Sequence, residues 1–308
     1  MVLATALLEK LHAFFPDIQL DVLVKKPNDT LFSKHPFINK ILVWDKKQSK
    51  GKELNRLIKE VKKEKYDTVI NLHRFFSSGL ITAMSGAKHK IGFDKNPLSR
   101  FYTQRVNHKI EPGIHEVDRN QKLIEHLTDA ISAKPKLYPS AEDIEKVNKL
   151  KKDDYYCIAP SSVWFTKQLP IEKWNELIQT LDKEKIIYLL GGVDDNIIAT
   201  QIVNTNIDRK IINLCGTLSF LESAALMKDA KMNYVNDSAP LHFASSVNAN
   251  VSAVYCSTIP EFGFGPLSDN STVIQINKPL SCRPCGLHGK KECPEGHFKC
   301  ALEIEFTK

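Results

Sequence analysis

The residues best suited to bind a ligand lie between positions 232 and 247. An apolar run at 232–235 is followed by Asn236, Asp237 and Ser238, then by Pro240 and a helix-like stretch, and a second apolar run occupies 251–255. This order predicts a strand, a polar turn, a helix opened by Pro240 and another strand. Such a turn places backbone N–H groups and a positive helix end at the carboxyl edge of a parallel sheet, where phosphate binds without a metal. The segment therefore predicts a nucleoside-diphosphate site.

The elements around this turn alternate in type along the chain. Short β-branched runs predict strands at 18–24, 41–44, 68–72, 155–159, 186–190, 211–214, 232–235 and 251–255. Apolar residues at helical spacing predict helices at 2–14, 52–61, 75–84, 115–127, 171–181 and 221–227. Alternation of this kind favours an α/β fold, in which helices cover both faces of doubly wound parallel sheets.

Length and charge indicate two domains. The 308 residues are enough for two cores, and Pro135 and Pro139 interrupt the periodicity just before a helix-capping start at Ser140. We expect α/β domains at 1–139 and 140–308, facing a cleft. Residues 1–150 carry 27 Lys and Arg against 18 Asp and Glu, whereas the remainder carries 16 against 18. The basic part fits a phosphorylated glycolipid, an anionic bilayer or nucleic acid, and the alternative is a solvated lysine-rich surface.

Apolar segments and cysteines bear on location and metal content. No apolar stretch approaches the ~20 residues of a membrane span, and no leader with a cleavage site is visible, so we expect a cytosolic protein. Three cysteines lie in apolar, strand-like runs and are predicted to be core residues: Cys157, Cys215 and Cys256. Four more crowd near the carboxyl terminus: Cys282, Cys285, Cys293 and Cys300. Four thiols are enough for a zinc site, but their spacing lacks the second Cys-x-x-Cys pair of a zinc ribbon. The sequence therefore predicts no metal, with a structural zinc site as the alternative.

Several segments, in order, resemble bacterial glycosyltransferase family 9, the lipopolysaccharide heptosyltransferases and their relatives. The resemblance lies in six stretches spanning nearly the whole chain: 85–93, 159–174, 190–195, 213–219, 236–242 and the cysteine-containing tail. It implies two Rossmann-like domains of the GT-B type, comprising an amino-terminal acceptor domain and a carboxyl-terminal nucleotide-sugar domain. It also implies an inverting sugar transfer that uses no metal or cofactor.

The resemblance further implies the substrates and their location. The donor would be a nucleotide sugar, ADP-heptose. The acceptor would be a lipid A core intermediate or another anionic glycolipid, so the protein would contact the inner membrane surface peripherally and bind no nucleic acid.

The same resemblance assigns donor-binding residues. They are Ser161, Ser162, Lys167, Gly192, Asp195, Thr217, Leu218, Asp237, Ser238, Ala239, Leu241 and His242. Lys167 would offset the charge that builds on the departing diphosphate, which makes it the predicted catalytic residue. Ala239 stands where the family usually has glycine. The alternatives are a helix-capping role for Asp237, a solvated loop position for Lys167 and a structural role for His242.

The acceptor side is assigned only as a group. Basic residues and one histidine of the first domain would bind the anionic acceptor: Arg74, Lys90, Arg105, His115 and Arg119. The alternative for each one alone is an ordinary surface charge.

The amino terminus departs from the family pattern. A doubly wound domain normally opens with a strand and a tight turn before the first helix, but the helical pattern here begins at Val2. The resemblance places the general base in a Gly-Asp turn that would precede residue 1. The sequence thus predicts a misplaced start and a natural protein longer by about one strand and turn, or otherwise an inactive chain.

Two alternatives to glycosyl transfer stay open on the residues alone. One is a nucleotide-sugar epimerase of related architecture, which would act on the donor without an acceptor. The other is a noncatalytic nucleotide-sugar binding protein.

Overall fold

A computed structural model of the chain describes residues 1–45, 47 and 49–306. The chain divides into two compact units, unit 1 (Leu3–Pro135) and unit 2 (Lys136–Lys308). The expected boundary after residue 139 lies just beyond this division. None of the helices in the described part of the chain has the length and hydrophobicity that a membrane crossing requires.

Unit 1 contains five described strands and four described helices. The strands are β1 (Leu20–Lys25), β2 (Ile38–Trp44), β3 (Thr68–Asn71), β4 (His89–Phe93) and β5 (Gln104–Val106). The helices are α1 (Thr5–Phe14), α2 (Lys50–Glu64), α3 (Phe76–Met84) and α4 (Glu116–Gln121). The strands form two parallel sheets, β1-β2 and β3-β4-β5. Leu7 of α1 belongs to a buried cluster with Leu20 and Ile91, so one core joins residues of both sheets.

Helix α2 illustrates how composition sets orientation in unit 1. Leu54, Leu57, Ile58 and Val61 recur at helical spacing, and they pack into a cluster with residues of β2 and α3. The lysines lie on the opposite, exposed face. The helix ends at Lys65, which adopts the left-handed conformation.

Unit 2 contains six strands and six helices within the described residues. The strands are β6 (Tyr155–Ala159), β7 (Ile186–Leu189), β8 (Ile211–Asn213), β9 (Met232–Asn236), β10 (Val251–Tyr255) and β11 (Ser271–Gln275). The helices are α5 (Ala141–Asn148), α6 (Ile171–Thr180), α7 (Asn196–Thr205), α8 (Phe220–Lys228), α9 (Ala239–Ser246) and α10 (Lys299–Leu302). Helix α5 begins at the predicted cap, where the Ser140 hydroxyl accepts a hydrogen bond from the Asp143 N–H.

The strand order of unit 2 defines where a ligand can bind. All six strands are parallel, in the order β11-β10-β9-β6-β7-β8. From β6 the chain adds strands in one direction, and after β8 it returns to place β9 on the other side of β6. The order therefore reverses between β6 and β9. In doubly wound sheets, ligands bind beyond the carboxyl ends of the strands at this reversal.

Two isoleucines of unit 2 provide a matched test of its core. Ile187 in β7 is fully buried, whereas Ile207 after α7 is 89% exposed. We expect Ile187→Ala to lower the unfolding free energy of unit 2 by about 2–5 kcal/mol, because it leaves a cavity. Ile207→Ala should change it by less than about 0.5 kcal/mol. Urea unfolding followed by circular dichroism measures both; equal losses would contradict the arrangement of the core.

Candidate active site

A lysine–aspartate ion pair lies at the carboxyl edge of the unit 2 sheet. Lys167 is carried by a single helical turn, Phe165–Lys167, in the loop after β6, and Asp237 directly follows β9. The Lys167 Nζ lies 2.8 Å from the Asp237 Oδ2, and the two side chains are only 15% and 8% exposed. Because the strand order reverses between β6 and β9, the pair occupies the position where this type of sheet binds ligands.

Thr258 orients the aspartate of this pair. The Thr258 hydroxyl donates a 2.7 Å hydrogen bond to the Asp237 Oδ2, and the Asp237 N–H donates to the Val254 carbonyl of β10. Both the carboxylate and its backbone are therefore held by the neighbouring strand. Sequence reasoning missed Thr258, although its place just after the predicted strand 251–255 was a usable signal.

Asn236 connects the loop that carries Lys167 to β9. Its side chain is fully buried, donates to the Pro160 carbonyl at 2.8 Å and accepts from the Leu169 N–H at 2.9 Å. The loop after β6 is thus held near both of its ends by one amide group. Lys167 lies between these two attachment points, so Asn236 positions the lysine beside Asp237.

The same loop contains the two predicted serines. The Ser161 hydroxyl is buried and has no hydrogen-bond partner within the described residues. A buried hydroxyl without a partner costs on the order of 1–3 kcal/mol, which an oxygen of a bound anion would recover. The Ser162 carbonyl accepts a short hydrogen bond from the Gln168 side chain, which closes the loop on itself. Ser161 therefore fits a ligand-binding role better than Ser162.

Helix α9 directs its amino terminus to the same edge. Ser238 precedes the first helical residue, Ala239, and its hydroxyl lies 3.3 Å from the Asn236 carbonyl. Pro240 has no N–H, and the Leu241 N–H donates to the Ser238 carbonyl. Among the described contacts, the amides of Ser238 and Ala239 are therefore the helix-start donors for an anion.

The other two residues of α9 that were predicted to bind the sugar donor differ in burial. The Leu241 side chain is fully buried in the core, so any contact of Leu241 with a ligand would come from its backbone. His242 follows it on the helix and is half-buried.

Four other predicted donor-binding residues form a second group on the same edge. Gly192 and Asp195 follow β7, while Thr217 and Leu218 follow β8. The Gly216 N–H donates to the Gly191 carbonyl at 2.9 Å, which joins the two loops. The Asp195 carboxylate accepts from the Gly192 N–H at 2.7 Å.

Gly216 is required at this junction of the two loops. It has φ +74°, and a Cβ there would lie 2.9 Å from the Val193 side chain. The structure thus brings the predicted donor-binding residues into two groups at this edge, one in the segments after β6 and β9 and the other in the loops after β7 and β8.

The five predicted acceptor residues fall into three places in unit 1. Arg74 is exposed after β3, and Lys90 and Arg105 lie in β4 and β5. His115 caps α4, where its Nδ1 accepts from the Val117 N–H. Arg119 is 2% exposed, with its guanidinium 2.8 Å from the Glu116 carboxylate. These contacts give His115 and Arg119 a structural role, which sequence reasoning did not anticipate.

The cysteines differ in burial as the sequence indicated. Cys157, Cys215 and Cys256 are buried core residues, and burial raises the pKa of the Cys215 thiol to about 12. Of the four tail cysteines, Cys300 is also buried and the other three are partly exposed, with the Cys282 Sγ 3.9 Å from the His297 Nε2. Among the described residues, no three His, Cys, Asp or Glu side chains are arranged to hold a metal ion.

A depression at the opposite edge of the unit 2 sheet is a less suitable candidate for the ligand site. It has a volume of about 580 Å³ and is lined by charged residues before β6, β7 and β9. Four of its charges are paired with each other, Lys151 with Asp229 at 2.6 Å and Lys185 with Asp154 at 3.1 Å. Doubly wound sheets bind ligands at the carboxyl edge, so we assign the site to the edge that carries Lys167 and Asp237.

Comparison with known proteins agrees with the fold. The structure of ADP-heptose lps heptosyltransferase II from E. coli superimposes with a TM-score of 0.78, at 21% identity, covering 92% of each chain. A glycosyl transferase family 9 structure from Veillonella parvula has a TM-score of 0.80, at 21% identity, covering 89% of this chain and 81% of that one. Together with the parallel sheets, these similarities define an α/β fold of the GT-B type.

Sequence comparison identifies the family. The family model described as glycosyltransferase family 9 (heptosyltransferase) matches residues 54–298. Lipopolysaccharide heptosyltransferase 3 of Escherichia coli is 25% identical over 285 residues, covering 88% of this chain and 84% of that protein. The protein is therefore a glycosyltransferase. It belongs to glycosyltransferase family 9, as its motifs indicated.

The environment of His108 provides a test of where Arg74 lies. His108 is 7% exposed, and its pKa is lowered from the ordinary value by burial and by the positive charge of Arg74. We expect Arg74→Ala to raise the His108 pKa, because an imidazolium is then less disfavoured. NMR titration of the imidazole measures this. Arg105→Ala, which removes an exposed arginine of β5, should leave the pKa unchanged; the same shift in both variants would contradict the placement of Arg74.

Proposed function

We propose that this family 9 enzyme transfers a heptose-like sugar from ADP-heptose to a lipopolysaccharide core or related glycolipid, with inversion and without a metal. The observation that carries the proposal is the Lys167–Asp237 pair at the reversal of strand order in unit 2. The relatives support the substrate class, since one is named a lipopolysaccharide heptosyltransferase and another an ADP-heptose lps heptosyltransferase.

The proposed site for the sugar donor binds the diphosphate through an ammonium group and hydrogen-bond donors that are already fixed in place. An ammonium group has three N–H donors, and Asp237 is its ion-pair partner within the described residues. The amides of Ser238 and Ala239 at the start of α9, together with the Ser161 hydroxyl, supply further donors for phosphate oxygens. The loops that contain Gly192 and Thr217 would border the nucleoside.

In the proposed reaction, an acceptor hydroxyl attacks the anomeric carbon from the face opposite the diphosphate. The new C–O bond forms as the bond to the diphosphate breaks, and the leaving diphosphate takes the bonding electron pair. A base receives the hydroxyl proton, a contribution on the order of 10²- to 10⁴-fold in rate. Lys167 offsets the negative charge that develops on the diphosphate, which is the role a metal has in other transferases.

Asp237 restrains this lysine. It holds the ammonium in place through a 2.8 Å contact, and its own position is set by Thr258 and the backbone of β10. Since the pair is mostly buried, its electrostatic interaction is stronger than that of an exposed pair. A preorganised cation of this kind needs little reorganisation when charge develops.

We assign the acceptor side to unit 1 and propose that it contacts the inner membrane surface peripherally. The supporting observation is a set of exposed aromatic residues beside basic ones. Phe75 and Phe101 are 71% and 51% exposed, Arg74 is adjacent in sequence to Phe75, and the Arg100 guanidinium lies over the Phe101 ring. Aromatic side chains with flanking positive charge favour the interface of an anionic bilayer.

Substitution of the ion pair tests the donor assignment. We expect Lys167→Ala to lower donor turnover by about 10²-fold, because charge on the leaving diphosphate is no longer offset. Asp237→Ala should also lower turnover, because the ammonium is no longer held in place. Lys183→Ala serves as the control, because this exposed lysine lies 3.9 Å from Asp208, away from the pair. ADP release from ADP-heptose, measured with a glycolipid acceptor, reports turnover. Unchanged turnover in both ion-pair variants would disprove the assignment.

The same assay without acceptor separates the alternatives. A transferase consumes ADP-heptose only when the acceptor is present. Conversion of donor alone, without ADP release, would indicate an epimerase, and ADP binding without any conversion would indicate a binding protein.

A further inference from the structure

The segment after β11 returns to the loop that carries Lys167. We call residues 283–290 the tail loop. Beyond it, Phe298, Cys300 and Ile304 are buried in the core of unit 2. Before it, Leu280 packs against the same core. The tail loop is therefore anchored on both sides and is a built part of unit 2.

Thr166, the residue before Lys167, is the main attachment point of the tail loop. Thr166 is 1% exposed, its N–H donates to the Lys290 carbonyl at 3.1 Å, and its hydroxyl accepts from the Lys290 N–H at 2.8 Å. Ser257 binds the same threonine from the other side, since its hydroxyl and its N–H donate to the Thr166 hydroxyl and carbonyl. The Cys285 N–H in turn donates to the Ser257 carbonyl. These bonds connect the loops after β6 and β10 through the tail loop.

Gly289 packs directly against the aliphatic part of Lys167. A Cβ at Gly289 would lie 2.8 Å from the Lys167 Cγ, 3.1 Å from its Cδ and 3.0 Å from the Trp164 Cβ. Contacts this short leave no room for a methyl group unless the lysine moves. Gly289 also has φ +72°, a conformation that favours glycine. The tail loop therefore limits the conformations that the lysine side chain can adopt.

Arg283 secures the other member of the pair through Thr258. Its Nε donates to the Cys256 carbonyl at 2.7 Å, and its Nη2 donates to the Thr258 carbonyl at 2.8 Å. Thr258 binds the Asp237 carboxylate, so the guanidinium supports the aspartate as Gly289 supports the lysine. One short segment thus contacts the supports of both charged groups.

We infer that the tail loop positions Lys167 for the donor diphosphate, with Gly289 and Thr166 as positioning residues. This inference rests on the proposed donor role of Lys167. A lysine has a flexible four-carbon stem, and ordering it on binding costs conformational entropy. Because Gly289 closes one side of the stem and Thr166 holds the backbone next to it, the ammonium is already ordered when the diphosphate arrives. The ligand then gains affinity from a preorganised cation.

Two glycines of the carboxyl-terminal segment allow a matched experiment. Gly289 and Gly296 have φ +72° and +70°, so alanine causes similar backbone strain at both, but a Cβ at Gly296 meets nothing within 4 Å. We expect Gly289→Ala to weaken ADP binding to the full chain by roughly tenfold, the scale of one lost charge-assisted hydrogen bond, while Gly296→Ala leaves it near wild type. Isothermal titration calorimetry measures affinity, and thermal unfolding verifies that both variants fold.

A double substitution identifies the route of the effect. If Gly289 acts through the lysine, Gly289→Ala causes no further loss of ADP affinity in a Lys167→Ala background. Equal ADP affinities for Gly289→Ala and Gly296→Ala, or full additivity with Lys167→Ala, would overturn the positioning role while leaving the donor role of Lys167 intact. If instead Lys167 has no role in donor binding, the result is different, because Lys167→Ala alone would then bind ADP as tightly as the wild-type protein does.

Thr166 provides a second variant that does not depend on glycine strain. We expect Thr166→Val to weaken ADP binding, because the Lys290 N–H loses its acceptor, and Thr166→Ser to restore it, because the hydroxyl is kept. Equal affinity in the valine and serine variants would overturn the role of Thr166.

Discussion

The ion pair between Lys167 and Asp237 is the interaction on which the rest of the site depends. Two opposite charges 2.8 Å apart, both largely removed from water, are stable only if the surrounding groups fix their relative positions. Thr258 supplies that restraint for the carboxylate, and Asn236 supplies it for the loop behind the lysine. The ammonium of the pair lies at the same edge of the sheet as the start of α9 and its two backbone amides. In the proposed function, this contact links the geometry of the sheet to phosphate recognition.

The parallel sheet determines which residues can take part in this arrangement. Strands β9 and β6 are neighbours, with Ile158 opposite Tyr234, so the residues after their carboxyl ends must meet. Strand β10 lies on the far side of β9 and delivers Thr258 to the same place. The formation of the ion pair therefore depends on the strand order. A different order with identical sequences in the loops would separate the lysine from its aspartate.

Local patterns predicted the parts of the structure that depend on local composition. Strands β6 and β10 occupy 155–159 and 251–255 as expected, because each is a short apolar run buried along its whole length. Strands β4, β5 and β11 were not predicted, since β4 begins with His89 and Lys90, β5 has three residues, and β11 is a half-exposed edge strand. In the site, the family motif selected Lys167 and Asp237. Contacts such as Thr258 to Asp237 join separate loops and have no local pattern.

The distance along the chain between Thr166 and Lys290 has a consequence for biosynthesis. These residues are 124 positions apart, so Lys290 leaves the ribosome well after Thr166. Domains fold as units while synthesis proceeds from the amino terminus. The strands of unit 2, the last of which ends at Gln275, can therefore assemble before Lys290 is available, whereas the bond between Lys290 and Thr166 forms only afterwards. Under the proposed role of the tail loop, a product truncated before Gly289 would fold much of its sheet without the ordered lysine.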